Sequence, residues 1–414
     1  MRRGLWVALL SALFLGLAFT PSFSQEKVIY YANPMDYTQA YHYASPEWFN
    51  GAADYAALVN LRGGIKGHRL VVLTADHGNE PQRGIELYER YKQQGALMFN
   101  FYNTPCVAAV LPRVLKDKII LLTPVHGRSD AADGETFPYV FIPTPTYWTQ
   151  AAAQIEYIYN REGKSLKGKK IGYNYLDTPW GREALPVFEK LSKDLGFELQ
   201  KYPYPPPGTE QTTAWTQIRR NRPDWVIMWG IRVVSVPQAI RVGYPLDKTL
   251  ADGWFNENEL DKIGHEQAKG CLSAQLVAPG KDFPVIQAII KEVYGAGKGK
   301  GDPSKVGTLY FNQGVYGSIL VEQAARIALE KFGEPLTGDK LKNALETLKD
   351  FDPLGLAPPI TFTAANHEGG RGVRIAQWDG TKWVALTPYF DTMFHPLVRQ
   401  IIKEEAAKFK AQTK

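Results

Sequence analysis

The chain has 414 residues, 44% of them hydrophobic, 12% aromatic and 22% charged. That length accommodates two domains and a core that needs no disulfide or metal staple, and the aromatic content excludes a disordered, low-complexity chain. Its 48 Lys and Arg against 42 Asp and Glu give a net +6, of which Arg2 and Arg3 supply two. The remainder is mild and scattered, which excludes a nucleic-acid partner.

Residues 1–24 read as a secretory signal peptide. Arg2 and Arg3 form a positive start, 5–18 is nearly all apolar, Pro21 breaks the helix, and Ser22 and Ser24 are the small residues of a cleavage site before Gln25. The apolar run is too short for a comfortable membrane span. Behind it, β-type runs alternate with helical patterns. Strands are predicted over 28–32, 70–74, 96–99 and 119–123, with helices over 46–61, from an Asn79 cap to before Gly95, and over 104–116. After the Pro-punctuated stretch 142–145 the alternation restarts: helix 149–160, strand 170–175, helix 181–195, strand 198–202, helix 214–221 and strand 225–229. Strict alternation argues for parallel sheets with crossover helices. The later part reads as helices over 284–294, 312–332 and 338–348, β-type runs at 360–362, 373–378 and 382–384, and an amphipathic helix over about 395–411.

Catalytic constellations are missing. There is no GxSxG elbow, P-loop or dinucleotide fingerprint, and His265-Glu266-Gln267-Ala268-Lys269 fails the HExxH pattern at its second His. The GxGxG at 297–301 lies in a basic loop that follows no strand and is a poor phosphate cradle. Cys106 and Cys271 sit in no CxxC or His-rich setting. An oxidising compartment would permit a bridge between them, but spacing alone does not establish one. The expectation is a non-enzyme without cofactor or metal.

The order of motifs resembles the type I solute-binding proteins of ABC importers, in the branch that binds leucine, isoleucine and valine. The resemblance rests on Gly63-Gly64-Ile65-Lys66-Gly67 before Leu70-Val71-Val72-Leu73-Thr74-Ala75-Asp76, then Pro81, Val110-Leu111-Pro112 and Leu122-Thr123-Pro124. It continues with Pro138-Tyr139-Val140-Phe141, Tyr175 to Gly181, Phe311 to Tyr316 and Pro359-Ile360-Thr361-Phe362, covering about 27–386. It implies an α/β fold of two Rossmann-like lobes with parallel sheets, joined by three crossings near 143–147, 274–280 and 355–360, with a ligand cleft between them. Lobe 1 would comprise 25–145 and about 280–357, lobe 2 would comprise 146–279 and about 358–390, and 391–414 would be a C-terminal helical extension. The implied role is an extracytoplasmic, periplasmic receptor, a monomer, that captures an amino acid or related carboxylate for an ABC permease. A sensing subunit for a receptor kinase, or a binder of aromatic acids, amides or urea, is the alternative.

Open parallel sheets bind ligands beyond the carboxyl ends of their strands, so the loops there line the expected cleft. In the first lobe these carry Tyr37, with Tyr41, His42 and Tyr43 close behind, and then Tyr102, Asn103 and Thr104. Thr104 as cap with Pro105 behind it presents free amides suited to a carboxylate, or is a plain helix cap. By resemblance, Asn103 and Thr104 stand where the family holds the ligand carboxylate. Val125, His126, Gly127 and Arg128 depart from the family's Ala-Thr pattern, which favours a ligand with an extra acid for Arg128 to fork; the plain readings are a structural histidine and a solvated arginine. In the second lobe Trp180 is an aromatic clamp or core, Gly230 ends a strand at the cleft mouth, and Trp254 accompanies Glu257, which meets an ammonium or serves as a capping carboxylate. Tyr37, Tyr102, Trp180 and Trp254 together would enclose an apolar or aromatic solute.

Overall fold

A computed structural model of the chain describes residues 26–39, 41–123 and 127–412. The expected signal peptide lies outside the described residues. Five parallel strands form the first sheet: β1 (Val28–Ala32), β2 (Arg69–Leu73), β3 (Met98–Phe99), β4 (Ile120–Leu122) and β5 (Val140–Phe141), in the order β2-β1-β3-β4-β5. The second sheet starts with β6 (Lys170–Leu176), β7 (Glu198–Tyr204), β8 (Trp225–Trp229), β9 (Thr249–Ala251) and β10 (Leu272–Gln275). These five are also parallel, in the order β7-β6-β8-β9-β10, so the second half repeats the strand order of the first. Then β11 (Gly372–Trp378) joins antiparallel beside β10, and β12 (Trp383–Ala385) and β13 (Phe390–Asp391) pair antiparallel with β11.

Burial follows position in the sheet. All five residues of β8 are buried, as a central strand covered on both faces requires, and this is why its sequence is a continuous Trp-Val-Ile-Met-Trp run. β7, at the edge, exposes Glu198 and Lys201 and reads as an interrupted pattern. Helix Ser45–Leu61 lies along helix Leu309–Phe332. Their backbones approach at Gly51 and Gly314, where an added Cβ would meet Phe311 O and Trp48 O, each at 2.0 Å.

Several expectations are corrected. Asn79 is not the cap of the second helix: it sits at φ 59° in the left-handed region, and the helix runs Pro81–Gln93 behind Glu80. The helix expected over 181–195 is two pieces, Pro179–Arg182 and Leu185–Leu195, because Pro186 has no N–H to continue the first ladder and opens a new one. Helix Arg232–Arg241 was missed, since the internal Pro237 masks its period, and β9 and β10 are too short to stand out. Residues 360–362, expected to start the return to the second lobe, stay with the first sheet. Ile360 bridges Phe351, and the Phe362 ring packs on Phe141 with centroids 5.1 Å apart. The chain leaves only after Gly369, whose N–H bonds Ile142 O at 2.8 Å.

At this junction Glu368 is buried and carries a concentrated set of contacts. Its carboxylate accepts from the Thr146 N–H (2.8 Å) and the Thr149 hydroxyl (2.5 Å), and its other oxygen lies 3.2 Å from His395 Nε2. The C-terminal helix His395–Gln412 reaches from there across both halves, touching the turn at Ser129–Ala132 and the helices Tyr147–Arg161 and Leu185–Leu195. Cys106 and Cys271 are separate buried thiols, each pushed up to about 12 by burial.

Candidate functional site

In both sheets the strand order reverses direction beside the first strand, between β1 and β3 and between β6 and β8. Such switch points open a crevice at the carboxyl ends of the strands. The loop after β1 brings Tyr41 and Tyr43 to the first crevice, and the loop after β3 brings Tyr102, Asn103 and Thr104. The turn after β6 brings Trp180, and the turn after β9 brings Trp254. Two helix starts complete the set: Tyr147, where the chain enters the second half, and Tyr310, in the first turn of the long helix.

The rings meet across the junction. Tyr41 and Trp180 stand edge to face with centroids 6.0 Å apart, Tyr102 and Trp254 at 5.2 Å, and Trp254 stacks near Tyr310 at 6.0 Å. Trp48, fully buried behind them, lies 4.9 Å from Tyr102 and 6.2 Å from Trp254. The space they enclose is about 20 Å³. Their hydroxyls are largely engaged with protein. Tyr147 accepts from Trp254 Nε1 (3.1 Å), and Tyr310 donates to Trp254 O (3.0 Å) while accepting from Asn256 Nδ2 (3.0 Å). Burial holds the phenols of Tyr102, Tyr147 and Tyr310 well above their ordinary range, so they remain protonated. The indole N–H of Trp180 is buried without a hydrogen-bond partner among the described residues.

Below the rings, Arg232 is wholly buried between two buried carboxylates. It donates to Asp252 at 3.1 Å and to Glu259 at 2.7 Å. Burial pushes both carboxyls up while Arg232 pulls them down. Asn256 ties Glu259 to Tyr310, and the amide of Asn258 donates to Tyr43 O (3.1 Å), so this network links the second half to the rings of the first. Glu183 makes another such link: half-buried, it accepts the Ser129 N–H at 2.8 Å, and burial pushes its carboxyl up to about 7.

Of the residues singled out from sequence, the structure gathers Tyr102, Asn103, Thr104, Trp180 and Trp254 around one space. The helix cap there is Asn103 rather than Thr104. Its side chain accepts the Cys106 N–H at 2.8 Å, and Thr104 is the first helical residue. That correction matters for chemistry. Pro105 has no N–H, Cys106 N–H is capped, and Val107 N–H bonds Asn103 O (2.9 Å), so only the Thr104 N–H of this turn remains for a ligand carboxylate. Five other residues are placed elsewhere. Tyr37 bonds Thr74 through its hydroxyl (2.9 Å). Arg128 forks Asp130 (2.9 and 2.5 Å) and lies over the Phe409 ring at 4.8 Å, held by the C-terminal helix. Gly127 lines a separate crevice with Arg128, of about 10 Å³. Gly230 packs so closely on Tyr204 that a Cβ would sit 1.9 Å from its hydroxyl oxygen. Glu257 accepts the Leu309 N–H (3.0 Å) at the start of the long helix, so its carboxylate serves there as a cap. Val125 and His126 lie outside the described residues.

Sequence reasoning missed Trp48, Tyr147 and Tyr310 as members of the ring cluster. The usable signal was their position: Tyr147 and Tyr310 stand in the first turn of a helix, and Tyr147 does so directly after the chain passes between the halves. Among the described residues no group of three His, Cys, Asp or Glu side chains is arranged to hold a metal ion, and no helix is long and apolar enough to cross a membrane.

Comparison with known proteins places this architecture. The family model described as periplasmic binding protein matches residues 35–382. A Leu/Ile/Val-binding protein homolog 3 from Brucella melitensis is 23% identical over 341 residues, covering 81% of this chain and 87% of its own. A crystal structure described as an ABC transporter permease from the Pseudomonas fluorescens group is 32% identical, with a TM-score of 0.84 over 94% of this chain and 98% of that one. A branched-chain amino acid ABC transporter protein from Thermus thermophilus, with bound valine, superimposes with a TM-score of 0.79 at 19% identity, over 91% and 99% of the two chains.

Proposed function

The chain belongs to the periplasmic binding protein family, as a solute-binding receptor, and from that premise we propose that a compact solute binds among the rings between the two halves and is handed to an ABC permease. The observation that carries the reading is the site's divided ownership. Tyr41, Tyr43, Tyr102 and Tyr310 pack with the first half, and Tyr147, Trp180 and Trp254 with the second. A solute touching both sets makes all its contacts only when the halves are together, so binding shifts the population toward closure. The permease then reads the joint outer surface of the closed form. The same reading makes the protein a monomer at work outside the cytoplasm, in the periplasm after removal of residues 1–24, and a carrier rather than a catalyst. Valine bound to the Thermus relative supports a guest of amino-acid size.

A solute panel read by thermal shift and calorimetry tests this. A ligand at a hundred times its Kd stabilises the folded protein by about 2.7 kcal/mol. Trp180→Ala, or Asn103→Ala with Thr104→Ala, is expected to reduce that shift while the protein still melts cooperatively. Unchanged affinity in both variants overturns the site. Solution scattering that shows no contraction with any binding solute overturns the closure mechanism.

A further inference from the structure

Resting on the receptor reading above, we propose that this site selects a compact methylated ammonium, held by the faces and edges of the ring cluster. The first support is the composition of the wall. Seven of its nine lining residues are Tyr or Trp, and none carries a formal charge. Rings around a small space attract an organic cation through their quadrupoles, and more strongly when water is excluded. One ring already does this from outside, since the exposed Lys262 ammonium lies 5.4 Å from the centroid of Tyr43.

The second support is the sign of the buried charge around the wall. Asp36 and Asp252 act on Tyr41, Glu259 and Asp252 on Tyr43, Asp252 and Glu183 on Tyr147, and Glu259 on Tyr310. Arg232 balances Asp252 and Glu259, and burial pushes the Glu183 carboxyl up to about 7, so the surplus negative charge beside the wall comes chiefly from the buried Asp36. The cation that the sequence offered for an anionic guest is otherwise engaged: Arg128 is forked by Asp130 under the C-terminal helix. The buried Arg232 is likewise sealed by Asp252 and Glu259.

The third support separates a methylated ammonium from a bare one. An –NH₃⁺ group needs hydrogen-bond acceptors around it. Glu257 caps helix Leu309–Phe332, Asp252 and Glu259 face Arg232, and Asp36 accepts from the N–H groups of Thr38, Gln39 and Tyr41. A trimethylammonium asks for no acceptor; it asks for ring surface and a favourable field, and both are present. The space of about 20 Å³ between the packed rings has room for little more than a water, so the head enters only as the halves part. The unpartnered Trp180 indole N–H and the Thr104 hydroxyl then face any oxygen on a short arm of the guest.

The test is calorimetry and tryptophan fluorescence on the mature protein with tetramethylammonium, choline and glycine betaine, against 3,3-dimethylbutan-1-ol, the neutral carbon isostere of choline, and valine. At least one of the three ammonium probes is expected to bind, and choline is expected to bind about tenfold or more tightly than its isostere. Trp180→Leu is expected to weaken the cation about tenfold and leave the far-ultraviolet spectrum unchanged. Equal binding of choline and its isostere overturns the inference using the unmodified protein, whatever the variant does. Binding of valine with none of the ammonium probes also overturns it and leaves the receptor reading standing. A failure of every solute, in this set and in the wider panel, removes both.

Discussion

Asn103 and Thr104 are neighbours, and either side chain is chemically able to cap the helix that follows; the structure gives the task to Asn103. Its oxygen takes the Cys106 N–H, and its amide nitrogen donates to Asn79 Oδ1, fixing two loops of the first crevice to each other. Asn103→Ala is therefore expected to lower stability by about 1 kcal/mol, the usual worth of a cap, measured by denaturant melts without ligand. Thr104→Ala, which removes no cap, is expected to leave the melt nearly unchanged while weakening ligand binding. Glu183 presents a different case, a carboxylate shared between the halves. Its pKa in the folded state rises from the ordinary 4.5 to about 7, chiefly through burial. Protonation thus favours the folded state: this contribution is complete below about pH 4.5 and is lost as the pH rises through 7. In Glu183→Gln that dependence disappears. The variant's melting temperature relative to the parent is expected to be higher at pH 7.5 than at pH 4.5, and a constant difference would contradict the assignment.

At the scale of elements, the first half depends on one close helix contact. Helices Ser45–Leu61 and Leu309–Phe332 can lie together at Gly51 and Gly314 only because neither has a side chain there. This contact holds Trp48 on one helix and Tyr310 on the other against the same cluster of rings. Gly314→Ala gains helix propensity but places a methyl against the backbone of Trp48. Overpacking of this kind costs about 1–3 kcal/mol. The expected result is a lower denaturant midpoint, together with a changed tryptophan emission as Trp48 shifts, and the emission separates a displaced helix from a general loss of stability. The repeated strand order has a related consequence for the second half. Because β6 and β9 are both interior strands of the second sheet and almost wholly buried, Trp180 and Trp254 are presented from rigid supports.

For the molecule as a whole, the joint between the halves carries a concentrated set of buried contacts. Three strands of chain cross it, and Glu368 holds two of them in register through Thr146 and Thr149 while His395 attaches the C-terminal helix to the same carboxylate. Burial alone would raise this carboxyl, but His395 and the two threonine donors hold it below the usual range. Glu368→Ala leaves those donors buried without an acceptor. The expected loss is about 3 kcal/mol or more, read by calorimetric melting. The C-terminal helix lies beyond residue 382, where the match to the family ends, and its Phe409 packs on Phe137 so that Arg128 of the first half lies over both rings. The Arg128 guanidinium, which brackets the departure from the family pattern at Gly127, is thus engaged by Asp130 and by these rings.

The sequence by itself determined the strand-and-helix alternation, the duplication of two α/β halves and the loops that reach the cleft, because hydrophobic period and Gly and Pro punctuation are local properties of a chain. It was enough to bring Tyr102, Asn103, Thr104, Trp180 and Trp254 forward as residues that line one space. Only the tertiary structure decided which polar groups remain available there. Glu257 and Arg128 look alike in sequence as free charges beside a cleft, yet Glu257 caps the Leu309 N–H in another element, and Arg128, besides forking the nearby Asp130, lies over the Phe409 ring of the C-terminal helix. Pairing of that kind is set by how helices pack and where the chain recrosses the joint, and no spacing along the sequence encodes it.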